Sequence, residues 1–376
     1  MAHSDLGGHG DGMQLMRRGD VLYVGHLGPS GMGTSIVDVA NVTEPKLVRQ
    51  IAAPQGAHNH KVQVADGLLL VNHEAFGGGR PERVGMAIHD ISDPYDPREI
   101  GFWDSTGLGV HRMVWEGGRF AYVSATPDGF TTQIWVVVDL EDPESPRARA
   151  RWWWPGMESG SPDKDWPESE VRSVHHALVS GDRAYVGFWD SGMVILDISD
   201  LDHIEVVSRL AWVVGGHTHT CLPLPSRGLV AVTDEPTFDD CQGPPHMIRL
   251  VDISDEQAPE VRSICPTPGE EFCLRGLRYG AHCLHENWPN SYRSETLLFA
   301  TYFNAGLRVY DTSDPDNPEE VAYYIPRCPP GQEAIQINDV YVDEDLHVYI
   351  TDRVTGGLYV LDPDAELAEL MLSCRL

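Results

Sequence analysis

No stretch of this sequence approaches the roughly 20 apolar residues needed to span a bilayer. The start, Met1-Ala2-His3-Ser4-Asp5, has neither the basic n-region nor the apolar core of a secretory signal. Basic side chains are scarce, 27 against 57 acidic, for a formal charge of −30. Such a surface repels phosphate backbones and anionic lipid, which argues against nucleic-acid and membrane-surface partners. The seven cysteines (221, 241, 265, 273, 283, 328 and 374) form no Cys-x-x-Cys pair. Neither a zinc knuckle nor a thioredoxin-type site is indicated, and free thiols in a cytoplasmic protein are expected. Gly77-Gly78-Gly79-Arg80 lacks the Lys-Ser/Thr of a phosphate loop, and no Gly-x-Ser-x-Gly elbow occurs.

What the chain has is a repeat. An apolar-Asp-apolar element recurs with aspartates at 38, 90, 139, 197, 252, 311 and 362, spaced 49 to 59 residues apart. Periods near 50 residues belong to propeller blades rather than helical solenoids. An alternating apolar run such as Met193–Leu196 precedes each anchor, and a second run such as Ala184–Val186 precedes that one. Four short strands per unit without a helical period predict an all-β fold, a seven-bladed propeller with four antiparallel strands per blade. The expected blades in this single domain, residues 1–376, are approximately 11–51, 57–103, 110–152, 173–210, 216–264, 281–324 and 336–373. The anchors are read as turn caps, where a short carboxylate accepts backbone N–H bonds.

Elements such as His89-Asp90-Ile91-Ser92-Asp93-Pro94 and Tyr310-Asp311-Thr312-Ser313-Asp314-Pro315 resemble the LVIVD-repeat β-propellers along nearly the whole chain. The resemblance implies the fold and is nearly silent about chemistry. Blade seven is expected to end in an outer strand near Leu367–Leu372. Either residues 2–10 then supply an extra strand, or the ring closes by packing alone.

One face of the ring gathers nearly all the long loops, including 73–83, 153–172, 234–245, 265–280 and 326–335. Loops on a rigid scaffold carry function, so this asymmetry selects the face. Aligning the innermost strands places His60, His111, His175, His219 and His282 at one position in blades two to six, with Asn338 in blade seven and Met13 in blade one. These five imidazoles are the candidate metal ligands, three or four of them binding and one left as acid or base. His26, His73, Glu74, Asp234, Glu235 and Asp352 end the second strands on the same face. His26, His73, Glu74 and Glu235 are candidate catalytic groups, and Arg112 could hold a substrate carboxylate or a salt bridge. Cys283, beside His282, is read as a buried inert thiol.

The expected cofactor is a divalent transition metal, iron favoured, with copper, manganese or zinc as alternatives. Trp152, Trp153, Trp154, Trp166, Phe76, Phe130, Phe238, Phe272 and Tyr279 fall in or beside the loop face. They suggest an apolar or aromatic small-molecule substrate. An oxidoreductase or oxygenase is the first reading, resembling the carotenoid-cleaving oxygenases in architecture only. The second is a lyase, isomerase or hydrolase with the metal as Lewis acid and a His or Glu base, comparable to the oligogalacturonate lyases. The third is a non-catalytic interaction scaffold.

Overall fold

In the computed structural model, which describes residues 1–28 and 31–376, each repeat is an antiparallel sheet whose first strand lies innermost. Blade one runs Gly12–Arg18, Val21–His26, Met32–Asp38 and Lys46–Ala52. Blades two to five follow the same order, with innermost strands Val62–Ala65, Gly109–Val114, His176–Ser180 and Thr218–Leu224. Blade six replaces its innermost strand by a single bridge, Leu284 to Ala300, ahead of Leu297–Thr301, Leu307–Asp311 and Glu319–Tyr324. Blade seven opens with Ile337–Val342, Val348–Asp352 and Gly357–Leu361. The seven units among the described residues match the seven anchors.

The burial pattern explains the strand sequences. Val21–His26 is buried at every position because neighbouring blades cover both of its faces, so it reads as a continuous apolar run. The outer strand Lys46–Ala52 has no buried residue, only exposed and half-buried ones. The turn reading of the anchors holds in six blades. Asp38, Asp90, Asp139, Asp197, Asp252 and Asp311 each accept the backbone N–H two residues on, at 2.6 to 3.0 Å.

The seventh anchor does something else. Asp362 pairs with the N-terminal ammonium of Met1 at 3.2 Å. Ala2–Ser4 pairs antiparallel with Gly357–Leu361 and becomes the outer strand of blade seven, so the ring is latched by its own N-terminus. The expected outer strand near Leu367–Leu372 is instead part of a helix, Ala365–Ser373. Asp364 caps that helix by accepting the Leu367 N–H, and Met371 is its one buried side chain. A capped segment followed by helix-forming Glu, Leu and Ala residues has better local propensity as helix than as strand. Leu6, just after the latch, is fully buried in the main core. Leu6→Ala is therefore expected to cost about 2–4 kcal/mol in a denaturant titration, with both the large side chain and the latch lost to packing.

The cysteine reading needs one correction. Cys241 and Cys273 form a disulfide, bridging the loop after the second strand of blade five to the loop before blade six. They are 32 residues apart, a spacing that carries no local signal. Disulfides of this kind persist in oxidising surroundings, which the expectation of free thiols did not anticipate. No helix among the described residues is long and apolar enough to cross a membrane.

Candidate metal centre

Each innermost strand is fixed at its start by the second strand of the preceding blade, through one recurring position. Ser124 Oγ donates to the His175 carbonyl at 2.8 Å, and Thr233 Oγ1 donates to that of His282 at 2.5 Å. Thr301 does the same for Asn338 (3.1 Å) and Thr351 for Met13 (2.6 Å), while Asn72 Nδ2 donates to the carbonyl of Val110, before His111 (2.8 Å). The two remaining blades use glycine. A Cβ on Gly25 would lie 2.6 Å from the His60 carbonyl carbon, and one on Gly187 would lie 2.2 Å from the His219 oxygen. A hydroxyl, an amide or bare backbone thus sets the height of every strand start.

The result is a continuous arc of imidazoles. Ring centroids step from His60 to His111 (5.0 Å), His175 (4.9 Å), His219 (4.0 Å) and His282 (4.4 Å). The Nε2 atoms of His111 and His175 stand 3.1 Å apart, a ligand-to-ligand edge. His219 belongs to two buried groups whose ligand atoms lie within 4.8 Å of one another, one with His175 and His176, the other with His282 and Cys283. Burial, reinforced by neighbouring cationic groups, holds His60, His175 and His219 well below the ordinary imidazole range. Burial likewise takes His282 down to about 3. These rings are neutral at pH 7, as metal ligation requires.

Hydrogen bonds set the tautomers. His111 gives its Nδ1 proton to Glu74 (3.0 Å), and His282 gives its own to the Asn338 carbonyl (2.8 Å), so both present an Nε2 lone pair. His219 has its Nδ1 on Thr220 Oγ1 at 2.8 Å. His60 differs. Asn72 accepts from the Lys61 N–H through its Oδ1, so its Nδ2 faces His60 Nδ1 at 3.1 Å as a donor. His60 Nδ1 must accept, its Nε2 carries the proton, and that buried Nε2 has no partner among the described residues. Hydrogen bonds thus set a ligating tautomer for His111 and His282 and a donor role for His60, and leave His219 and His175 able to ligate, the buried Nδ1 of His175 having no partner among the described residues.

Two carboxylates flank the arc. Glu74 bridges His58 (2.6 Å) and His111 (3.0 Å). Burial would raise its pKa, but the charges and hydrogen bonds of His111 and His58 outweigh that and hold it at about 2. Glu235 lies 3.8 Å from His175, 3.7 Å from His282 and 3.0 Å from Arg278. Burial again opposes ionisation, and His282, Arg278 and Arg353 overcome it, giving about 2. Arc and carboxylates line one open cavity of about 480 Å³.

Three candidate catalytic groups do not line that cavity. His26 is fully buried between Asp11 (2.9 Å) and Ser35 (2.7 Å), a structural strut. His73 lies edge-on to Phe102 at 5.3 Å, because its neighbour Glu74 takes the cavity face and strand side chains alternate. Arg112 is fully buried with Nη2 2.6 Å from Glu286, which also lies 3.0 Å from His176. Removing one partner of such a pair strands the other charge. Arg112→Ala is expected to lose about 3–5 kcal/mol in denaturant unfolding, with Arg112→Met/Glu286→Leu losing clearly less.

Of the aromatic residues on the loop face, Phe76 lines the cavity, stacked on His58 at 4.3 Å. Trp152 and Phe272 are buried in the core, and Trp154 and Trp166 stack with Arg172. Two aromatic residues that sequence reasoning missed touch the arc. Trp189 stacks on His175 (5.4 Å) and Phe303 on His282 (4.6 Å). Both adopt left-handed backbone, with φ of 45° and 44°, at equivalent turns of blades four and six. The signal was the pair of matching segments Phe188-Trp189-Asp190-Ser191-Gly192 and Tyr302-Phe303-Asn304-Ala305-Gly306. Burial pushes the Cys283 thiol far up, in keeping with an inert thiol.

The LVIVD repeat family profile matches residues 172–211, which cover blade four. No curated protein matches the chain in sequence. Among solved structures, the periplasmic gluconolactonase PpgL of Pseudomonas aeruginosa is similar at 13% identity, over 91% of this chain and 95% of that one, with TM-score 0.61. A protein from Lactobacillus plantarum is 14% identical over 93% and 94%, TM-score 0.55. Sqt1 of Chaetomium thermophilum is 12% identical over 94% and 81%, TM-score 0.56. At these identities the likeness shows the fold alone. The chain carries an LVIVD repeat and is a β-propeller.

Proposed function

We propose that this protein is a metal-dependent enzyme whose arc of histidines holds one divalent transition-metal ion at the mouth of the channel. The observation that carries the reading is the sharing of His219 between two buried ligand groups. His175, His219 and His282 would hold the ion with His111 completing the set, and a position facing the cavity would remain for substrate. When bound, the ion supplies Lewis acidity toward a substrate oxygen.

The rest falls to the protein. Glu235, ionised and beside the arc, is placed to take a proton from the substrate. His60 offers an unpartnered Nε2–H to the oxygen that gains charge. Glu74 holds His111 in its ligating tautomer. These roles favour lyase, isomerase or hydrolase chemistry. The oxidoreductase reading keeps support from one feature, an all-imidazole ligand set, which suits iron or copper.

Chelator-stripped protein titrated with Fe(II), Mn(II), Zn(II) and Cu(II) salts tests the proposal. At least one ion should raise the thermal midpoint by several degrees, since 1,000-fold excess over Kd adds about 4 kcal/mol. Stabilisation by iron or copper together with oxygen uptake would select the redox reading. No rise with any of the four would refute the metal site.

A further inference from the structure

The arc of imidazoles is open at blades seven and one, where Asn338 and Met13 stand instead of histidines. Two guanidiniums enter the cavity near that opening, Arg278 from the loop before blade six and Arg353 from the turn after Val348–Asp352. Gln336 ties both to one place. Its amide exchanges hydrogen bonds with the Arg278 backbone at 3.2 and 3.1 Å, and its carbonyl accepts the Arg353 N–H at 3.0 Å. Both guanidiniums flank the ring of Phe303, at 5.7 and 5.8 Å.

Only one of the two forms an ion pair among the described residues. Arg278 reaches Glu235 at 3.0 Å. Arg353 has no carboxylate within ion-pair distance and no side-chain hydrogen bond among the described residues. Lys61 also lines the cavity, is 2% exposed and has no ion-pair partner among them. In a chain of formal charge −30, two cations that line one cavity with no ion-pair partner among the described residues are placed to meet an anion. Leu27, Phe76, Leu108, Val171 and Trp189 supply apolar surface in the same cavity.

Resting on the enzyme reading above, we infer that Arg353, with Arg278 beside it, is the anchor for a substrate carboxylate, and that the substrate is a small monocarboxylic acid with an apolar or aromatic body. A planar guanidinium matches a carboxylate through two parallel hydrogen bonds. Arg278 stays committed to Glu235 and Lys61 is buried, so Arg353 is the guanidinium left to meet a ligand, and its planar fork suits a carboxylate. The apolar wall receives the body, and the carboxylate end leaves the adjoining carbon toward Glu235 and the arc.

Calorimetric titration of the protein with phenylacetate, phenylacetamide and inorganic phosphate tests this, in metal-loaded and chelator-stripped forms. Phenylacetate should bind both forms, and phenylacetamide at least tenfold more weakly. Arg353→Gln should weaken phenylacetate at least tenfold while Arg353→Lys keeps part of the affinity, both variants melting within a few degrees of wild type. Retention of this pattern in stripped protein, even if no ion binds, supports the anchor independently of the metal. Equal binding of acid and amide, indifference to Arg353, preference for phosphate, or no binding to either form would overturn it, whatever the metal result.

Discussion

His219→Ala is expected to weaken metal binding by at least a thousandfold in competition with a chromophoric chelator. His219 alone belongs to both buried ligand groups, so its loss breaks each of them, whereas His175→Ala and His282→Ala each leave the other group whole. Loss of a ligand also leaves an ion with an incomplete shell in a rigid strand framework that cannot close around it. Glu74→Gln should act more gently, by about 10–100-fold, because it removes only the carboxylate that orients His111. His60→Gln should leave affinity within a few-fold, since His60 presents a proton rather than a lone pair. Equal losses for His60→Gln and His219→Ala would show that the tautomer assignment is wrong.

The second large effect is a steep loss of stability in mild acid. His73, His246 and His285 lie away from the arc, and burial lowers each pKa from the ordinary 6.5 to about 4. Above pH 6.5 these rings are neutral in both the folded and the unfolded chain, and they impose no penalty. Between pH 6.5 and 4 the unfolded chain takes up protons that the folded one refuses, so stability falls as the pH falls. Near pH 4 each ring costs about 3 kcal/mol, from a difference of about 2.5 pH units. Together they cost roughly 10 kcal/mol, comparable to the whole stability of a domain. Metal-free protein followed by circular dichroism should therefore unfold on acidification before pH 4. His285→Gln should flatten the slope by about one proton, because His285 is held by the Tyr292 carbonyl (2.6 Å) inside the core. A flat stability profile from pH 7 to 4.5 would contradict this account.

Much of the architecture was legible because a propeller repeats its local rules. The aspartate that caps one turn caps five others, and its spacing alone counts the blades. The arc was legible for the same reason, since aligned strand starts must share a height and a direction. The clamp that sets that height was not. It rests on Asn72, Ser124, Thr233, Thr301 and Thr351 in five blades and on Gly25 and Gly187 in two, so the common element is a carbonyl contact across blades rather than a residue type.

The misses follow where the repeat breaks. Closure by a strand from residues 2–10 was one of the two expected alternatives and Ala2–Ser4 supplies it, whereas the outer strand expected near Leu367–Leu372 is a helix that Asp364 starts. Cys241–Cys273, Arg278 and Arg353 sit in loops, where non-local contacts decide geometry and no periodicity reports them. His26 and His73 were misplaced by one residue of strand alternation, the step that puts Glu74 inside the cavity and His73 outside it.

Metal content of untagged protein, measured by inductively coupled plasma mass spectrometry beside the His219→Ala variant, decides whether the arc of histidines holds an ion. Close to one transition-metal ion is expected per wild-type chain, and close to none in a variant that still folds. No metal in the wild type even after reconstitution, or an equal content in both proteins, would contradict that expectation and leave a propeller with a structural ring of histidines.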